Sequence, residues 1–257
     1  MRPLAIDLFC GLGGWTEGLL AEGYRVVGFD LERHDYGTGG YPAQLVLQDV
    51  LTLHGRQFAE AALIVASPPC QAYSYRAMPW KRAKALPPPD NSLFEACFRI
   101  QREAIEAAGR HIPLVVENVC GAQKWVGRAR WHFGSFYLWG DVPALMPITK
   151  RGAKVPGFRF DGSGGSFQTA SVDSTKNDGG SWFNVANNTT SGTGRNPDGR
   201  KNGKDWFGSG EDCSLQRQAG SKSSARKAAS AHIAKIPIAL SRHIARAWKP
   251  ESDARTA

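Results

Sequence analysis

The chain has 257 residues, 42% of them hydrophobic, enough for a packed core and too many for a chain disordered throughout. Its 32 Lys and Arg exceed its 23 Asp and Glu, a formal net charge of +9 that favours a polyanionic partner, nucleic acid first. Five cysteines, an odd number at irregular spacing, argue against a disulfide framework, and no pair has the spacing of a zinc site. No signal peptide opens the chain and no apolar run approaches the ~18 residues of a membrane helix. A reduced, cytoplasmic protein without a metal is expected.

Residues 4–9 form a short apolar run interrupted by Asp7, a strand that ends in Cys10-Gly11-Leu12-Gly13-Gly14. Residues 15–22 read as a helix with Leu19 and Leu20 on its apolar side. Residues 24–29 read as a second strand, closed by Asp30, and the short run 45–47 leads to Asp49. Residues 62–66 are a buried strand that runs into Ser67-Pro68-Pro69-Cys70-Gln71. Residues 92–108 have helical spacing, with Leu93, Phe94, Cys97, Ile100 and Ile105 apolar. Residues 113–116 are a strand ending in Glu117-Asn118-Val119, and residues 134–139 are strand-like. Strands alternating with helices predict an α/β fold with a mostly parallel sheet and helices on both faces. Ligands of such sheets sit at the carboxyl ends of the strands. Asp30, Asp49, Cys70 and Glu117 all fall at or just beyond those ends.

The composition changes after about Thr149. Residues 151–224 are rich in Gly, Ser, Asn, Thr and Lys, and the apolar periodicity disappears. One reading is a disordered insert. The pairs Trp182-Phe183 and Trp206-Phe207 favour a loop-rich subdomain or a surface that stacks on a partner. Apolar spacing returns with Ile236, Ile238, Leu240 and Ile244. Three parts are expected: a core at 1–149, a basic insert at 150–227 and a segment at 228–257 that packs back on the core.

Chemistry enters with three motifs. Gly11, Gly13 and Gly14 follow a strand and open a helix, and glycine lets a backbone approach a ligand closely. Their spacing is neither Gly-x-Gly-x-x-Gly nor that of a phosphate-binding loop. Asp30, about 20 residues on, stands where an acid can hold a ribose hydroxyl pair. A nucleoside-bearing cofactor without a buried pyrophosphate fits best. Cys70, on a proline-stiffened turn after a buried strand, is a candidate nucleophile. Cys97 reads instead as a small buried hydrophobe on a helix face, and Cys10 as a packing residue. Glu117 can act as an acid toward a base ring, or cap or pair with a cation.

Taken together, residues 7–14, Pro69-Cys70-Gln71 and Glu117-Asn118-Val119, in this order, resemble the DNA cytosine C5-methyltransferase family. Thr16-Glu17-Gly18-Leu19 continues the first motif and Ser74 follows the cysteine at the family spacing. Asp90 with Leu93-Phe94 is similar to the point where the catalytic loop returns to a helix. Ile236-Pro237, Leu240 and Ile244-Ala245 resemble a degenerate last motif. The family's Gln-x-Arg-x-Arg is absent as such, with Arg128-Ala129-Arg130 as a reduced counterpart, and no clear ninth motif is visible. A compact enzyme of the phage or mobile-element style is implied, working in a bacterial or infected-host cytoplasm.

The resemblance implies a Rossmann-like methyltransferase fold, S-adenosylmethionine as cofactor and double-stranded DNA as substrate. A monomer without an obligate protein partner is expected. It places Cys70 and Glu117 at the chemistry, with Gln71, Asn118, Arg128 and Arg130 beside them. Asp7, Phe9, Gly11, Leu12, Gly13 and Gly14 would form the cofactor loop. Asp30 and Leu31 would hold the ribose end, Asp49 and Val50 the adenine, and Pro69 would border the sulfonium. Ser74, Tyr75, Arg76, Trp80, Lys81 and Arg82 in a mobile loop, with Trp182 and Trp206, would meet the nucleic acid. Alternatives are an RNA substrate, a modified donor, or a DNA-binding protein of this fold without turnover. Methylation of an exocyclic amino group would call for Asp/Asn-Pro-Pro-aromatic, and the sequence has Ser67-Pro68-Pro69-Cys70 instead.

Overall fold

In a computed structural model of the chain, the residues described are 2–35, 39–76, 85–146, 231 and 234–250. Trp80, Lys81, Arg82, Trp182 and Trp206, the side chains of Tyr75 and Arg76, and the insert at 150–227 lie outside them.

Seven strands form one sheet. β1 (Leu4–Leu8), β2 (Arg25–Asp30), β3 (Gln44–Leu47), β4 (Ala61–Ala66) and β5 (Leu114–Asn118) run parallel. β7 (Phe136–Gly140) lies antiparallel beside β5, and β6 (Trp131–Phe133) pairs antiparallel with β7 at the edge. The order across the sheet is β3-β2-β1-β4-β5-β7-β6. The central strands are apolar nearly throughout because both faces are covered.

Alternate residues of each strand serve the two faces. On one face, Trp15 and Leu19 of α1 (Gly14–Ala21) and Leu240 and Ile244 of α5 (Ile238–Ala247) pack with Val26, Leu63, Val65 and Leu138. On the other, Phe94, Cys97 and Ile100 of α3 (Ser92–Ala108) pack with Ile6, Leu8, Ile64 and Val116. Cys97 is fully buried there, as its helical spacing predicts. α1 and α5 meet closely, since a Cβ at Gly18 would lie 2.1 Å from Ser241 Oγ. The Tyr24 hydroxyl donates to the Ala245 carbonyl at 2.9 Å, and Glu22 pairs with Arg242 at 2.6 Å and Arg246 at 2.9 Å.

One feature differs from the sequence reading. The strand-like stretch at 134–139 is half of a hairpin: Gly134, at φ +59°, and Ser135 turn the chain, and Trp131–Phe133 supplies the other strand. Between β2 and β3, Tyr41 packs beside β2.

Candidate active site

The loop after β1 is held from both sides. The Gly11 N–H donates to Asp30 Oδ2 at 2.8 Å, and Leu31 N–H donates to Oδ1 at 2.8 Å. The acid at the end of β2 thus fixes the glycine turn at the end of β1, its parallel neighbour. Gly11 has φ +49° and open space where a Cβ would stand. Phe9, half-buried, has φ +56°, the one non-glycine among the described residues in the left-handed region. Such a conformation costs on the order of 1–3 kcal/mol and persists where the surroundings over-determine it. Leu31, beside Asp30, is 70% exposed. An open glycine, a half-buried ring, a carboxylate and an exposed apolar side chain make a cradle with a polar centre and apolar walls. That donor set fits a nucleoside.

The other loop residues do different work. A Cβ at Gly13 would meet Pro42 Cδ at 2.7 Å, and Leu12, Gly13 and Gly14 are buried. They are packing positions; only Gly11 faces open space. Asp7 is fully buried. It supports the loop from beneath. Thr16 Oγ1 donates to Asp7 Oδ2 at 2.7 Å and is itself bonded to the Tyr41 hydroxyl. Asp7 Oδ1 has no hydrogen-bond partner among the described residues. Burial, with Asp30 nearby, pushes the Asp7 carboxyl up to about 8, so it is protonated at neutral pH. Burial also pushes the Cys10 thiol up, which removes it as a nucleophile.

Tyr41 was not legible in the sequence. Its ring lies where a Cβ at Gly28 would stand, 2.2 Å from the hydroxyl oxygen. Gly28 inside β2 was the available signal, because glycine in a strand often marks close approach by another group. Asp49 caps the turn after β3, its Oδ1 accepting from Leu51 N–H at 2.9 Å, and Val50 beside it is buried.

The next two strand ends carry the candidate chemistry. Ser67 N–H donates to the Leu8 carbonyl at 3.1 Å, and Trp15 Nε1 donates to Ser67 Oγ at 3.0 Å, so the turn after β4 begins from a fixed point. Pro68 is buried, Pro69 is exposed and Cys70 is half-buried. The Cys70 carbonyl accepts from Tyr73 and Ser74 N–H, opening α2 (Gln71–Arg76). β5 is the parallel neighbour, with Ala66 opposite Val116, so Glu117 lies one residue beyond the last pair. Glu117 is 8% exposed. The Asn118 amide joins the two ends: Nδ2 donates to the Pro68 carbonyl at 2.9 Å, and Oδ1 accepts from Val119 N–H at 2.8 Å. A cavity of about 290 Å³ adjoins this turn, lined by Pro68, Pro69, Gln71, Tyr73, Leu93 and Phe94 among others. Tyr73 is tied across it by its hydroxyl, which donates to Asn91 Oδ1 at 3.0 Å.

Arg128 and Arg130 follow α4 (Gln123–Val126) along the chain. Both are exposed in the loop before β6, and Trp131 pairs with Leu138, which pairs in turn with Glu117. A whole strand therefore stands between Glu117 and the strand the arginines lead into. Among the described residues no group of three or more His, Cys, Asp and Glu could hold a metal ion, and no helix is long and apolar enough to cross a membrane.

This strand order, with an antiparallel strand inserted beside β5 and the candidate site at the carboxyl ends of β1, β2, β4 and β5, is a Rossmann-like fold of the kind S-adenosylmethionine-dependent methyltransferases have. Within that class, residues 4–123 match the family of C-5 cytosine-specific DNA methylases. No curated protein matches the sequence. Among solved structures, the chain is similar to a prophage-encoded E. coli protein provisionally assigned as a DNA modification methyltransferase (22% identity, 49% of this chain and 35% of that one, TM-score 0.34). It is also similar to the S. pombe Dnmt2 methyltransferase (17% identity, 49% of this chain and 37% of that one, TM-score 0.34). A third is the Entamoeba histolytica methyltransferase EhMeth (15% identity, 49% of this chain and 41% of that one, TM-score 0.34). The chain thus spans well under half the length of each.

Proposed function

We propose that the protein transfers a methyl group to C5 of cytosine in double-stranded DNA, with Cys70 as nucleophile and Glu117 as the acid facing the base. The observation that carries this reading is the Asn118 bridge. It fixes the turn bearing Cys70 to the strand end bearing Glu117, beside a glycine cradle one strand away.

Cytosine C5 is a poor nucleophile inside a stacked duplex, so the base leaves the stack first. The Cys70 thiolate attacks C6, forming a C–S bond and sending electron density toward N3. Glu117 donates a hydrogen bond or a proton at N3. C5 then has enamine character and takes the methyl group that S-adenosylmethionine supplies when bound. A base removes the C5 proton, the C5–H electron pair reforms the C5–C6 double bond, and the C–S pair leaves with Cys70 as its thiolate. Splitting one hard step into two easier ones is what a covalent nucleophile contributes.

In this reading Asp30 accepts from ribose hydroxyls on lone pairs not used by Gly11 and Leu31. Phe9 and Leu31 supply apolar contact, and Asp49 with Val50 the adenine end. Asp7, Leu12, Gly13 and Gly14 shape the loop without touching the ligand. The insert at 150–227 is proposed to contact DNA, and the enzyme to act as a cytoplasmic monomer.

The test is to incubate the full chain with S-adenosylmethionine and mixed-sequence duplex DNA, digest, and weigh the nucleosides by mass spectrometry. Formation of 5-methyldeoxycytidine by the wild type and not by Cys70→Ala is the expected result. Methylated RNA with unmodified DNA would move the substrate to RNA. DNA binding with neither product would leave a binding protein of this fold.

A further inference from the structure

We propose that His34 binds one hydroxyl of the cofactor's ribose jointly with Asp30, so that the cradle reads an intact vicinal diol. This inference rests on the function proposed above and adds a residue, and a selectivity, to its cofactor site.

Placement is the first argument. In the stretch after β2, Leu31, Glu32, Arg33 and Asp35 are exposed, whereas His34 is half-buried. No helix runs through these residues to bring positions four apart together. The chain instead bends at Leu31 and Glu32 and returns His34 to the strand end. Its imidazole Nε2 stands 3.5 Å from Asp30 Oδ1, with the two side chains 21% and 16% exposed. A solvated surface pair contributes little to stability. This pair is turned in, on the carboxylate that also holds Gly11, the loop residue facing open space.

Spacing is the second. Direct N–H···O bonds run from about 2.7 to 3.2 Å, and the imidazole and carboxylate stand farther apart than that. A hydroxyl is both donor and acceptor. Placed at this pair, it gives its proton to Oδ1 and accepts the Nε2 N–H on its own oxygen. The other ring nitrogen, Nδ1, faces Glu32 Oε1 at 4.0 Å. Asp30 is the nearer acceptor, so these contacts favour the tautomer with its proton on Nε2.

Lone pairs are the third. An ionised carboxylate accepts at about four sites. Leu31 N–H takes one on Oδ1 and Gly11 N–H takes one on Oδ2, each at 2.8 Å. Each oxygen keeps a site, one for each hydroxyl of a diol. A hydroxyl that only donates leaves its own oxygen without a donor once the ligand has displaced water. On the Oδ1 side His34 provides that donor. A site built to hydrogen-bond a hydroxyl rejects the analogue that lacks it, because its polar groups are then left unpaired.

The test is calorimetric binding of S-adenosylhomocysteine, the product of methyl transfer, and of its 2′-deoxy and 3′-deoxy analogues, to the full chain and to H34A. Loss of one hydrogen bond is expected to weaken binding of the full ribose ligand about 3- to 10-fold in H34A. With the analogue that lacks the hydroxyl His34 meets, wild type and H34A are expected to bind within about twofold of each other. With the other analogue the loss persists. H34F keeps a flat ring and removes both nitrogens; it is expected to repeat this pattern, and stands in for H34A should that variant melt early. Unchanged affinity in both variants overturns the proposal. So does the same loss for all three ligands, which would make His34 a partner of Asp30 alone. A wild type that binds none of the three refutes the parent cofactor reading instead, and is read before any variant.

Discussion

The two ends of the site-bearing edge are built on opposite principles. At the β1–β2 end, Asp30 is held by two backbone N–H groups and Asp7 by Thr16, with Tyr41 bonded to the same threonine. At the β5–β7–β6 end, a segment with three permanent cations and no carboxylate lies exposed on a pinned backbone. The first end is a closed network that shapes one small cradle. The second carries cations that hold no carboxylate among the described residues. Preorganisation serves a ligand of fixed shape; surplus charge serves a polymer whose repeating anions are met by several cations.

The sharpest way to break this contrast lies between the two ends. Cys70→Ala is expected to lower methylation by at least about 10,000-fold while binding of DNA and of cofactor persists, measured by product mass and by calorimetry. Retained turnover would remove Cys70 from the chemistry. Glu117→Gln keeps shape and loses the acid, so a fall of about 100- to 10,000-fold in single-turnover rate is expected. A rate within a few-fold of wild type would leave Glu117 a structural group.

Asp30→Ala attacks the closed end directly. It removes the acceptor of two N–H groups, and a loss of roughly 10- to 100-fold in cofactor affinity is expected from charge-assisted hydrogen bonds of this kind. Duplex affinity measured without cofactor should stay unchanged; if it fell equally, the two ends would not be separable.

Asp7→Asn gives the smallest effect and tests the same network through pH. The folded carboxyl titrates at about 8 against an ordinary value of 3.8. The folded chain therefore holds a proton that the unfolded chain releases, and stability falls as pH rises from about 4 toward 8. Asparagine cannot ionise, so the variant's Tm is expected to vary less with pH across that window. A pH dependence identical to wild type would show that Asp7 is not the titrating group.

Much of this was legible in the sequence because the relevant residues are local. A strand followed by Cys10-Gly11-Leu12-Gly13-Gly14, or by Pro68-Pro69-Cys70-Gln71, carries its own turn chemistry, and alternating strands and helices imply the parallel sheet. The ends at Asp30, Cys70 and Glu117 were readable for the same reason. What was not readable depends on distant parts of the chain. Asp7 and Gly13 sit in a motif that looks uniformly ligand-facing, yet Tyr41 and Pro42 cover one and the sheet buries the other. That β7 stands between Glu117's strand and the strand that follows Arg128 and Arg130 is likewise a long-range fact.

Sequence alone thus determined the strand-turn motifs, the positive charge and the candidate nucleophile and acid, since each is set by residues adjacent along the chain. Only the tertiary structure decided which glycine faces open space, that Asn118 ties Cys70's turn to Glu117's strand, and that the basic hairpin stands beside the site. Those facts arise from the register between strands and from side chains that reach across 50 or more residues of chain, as Asn118 does to Pro68. No local pattern records a distance that long-range packing alone sets.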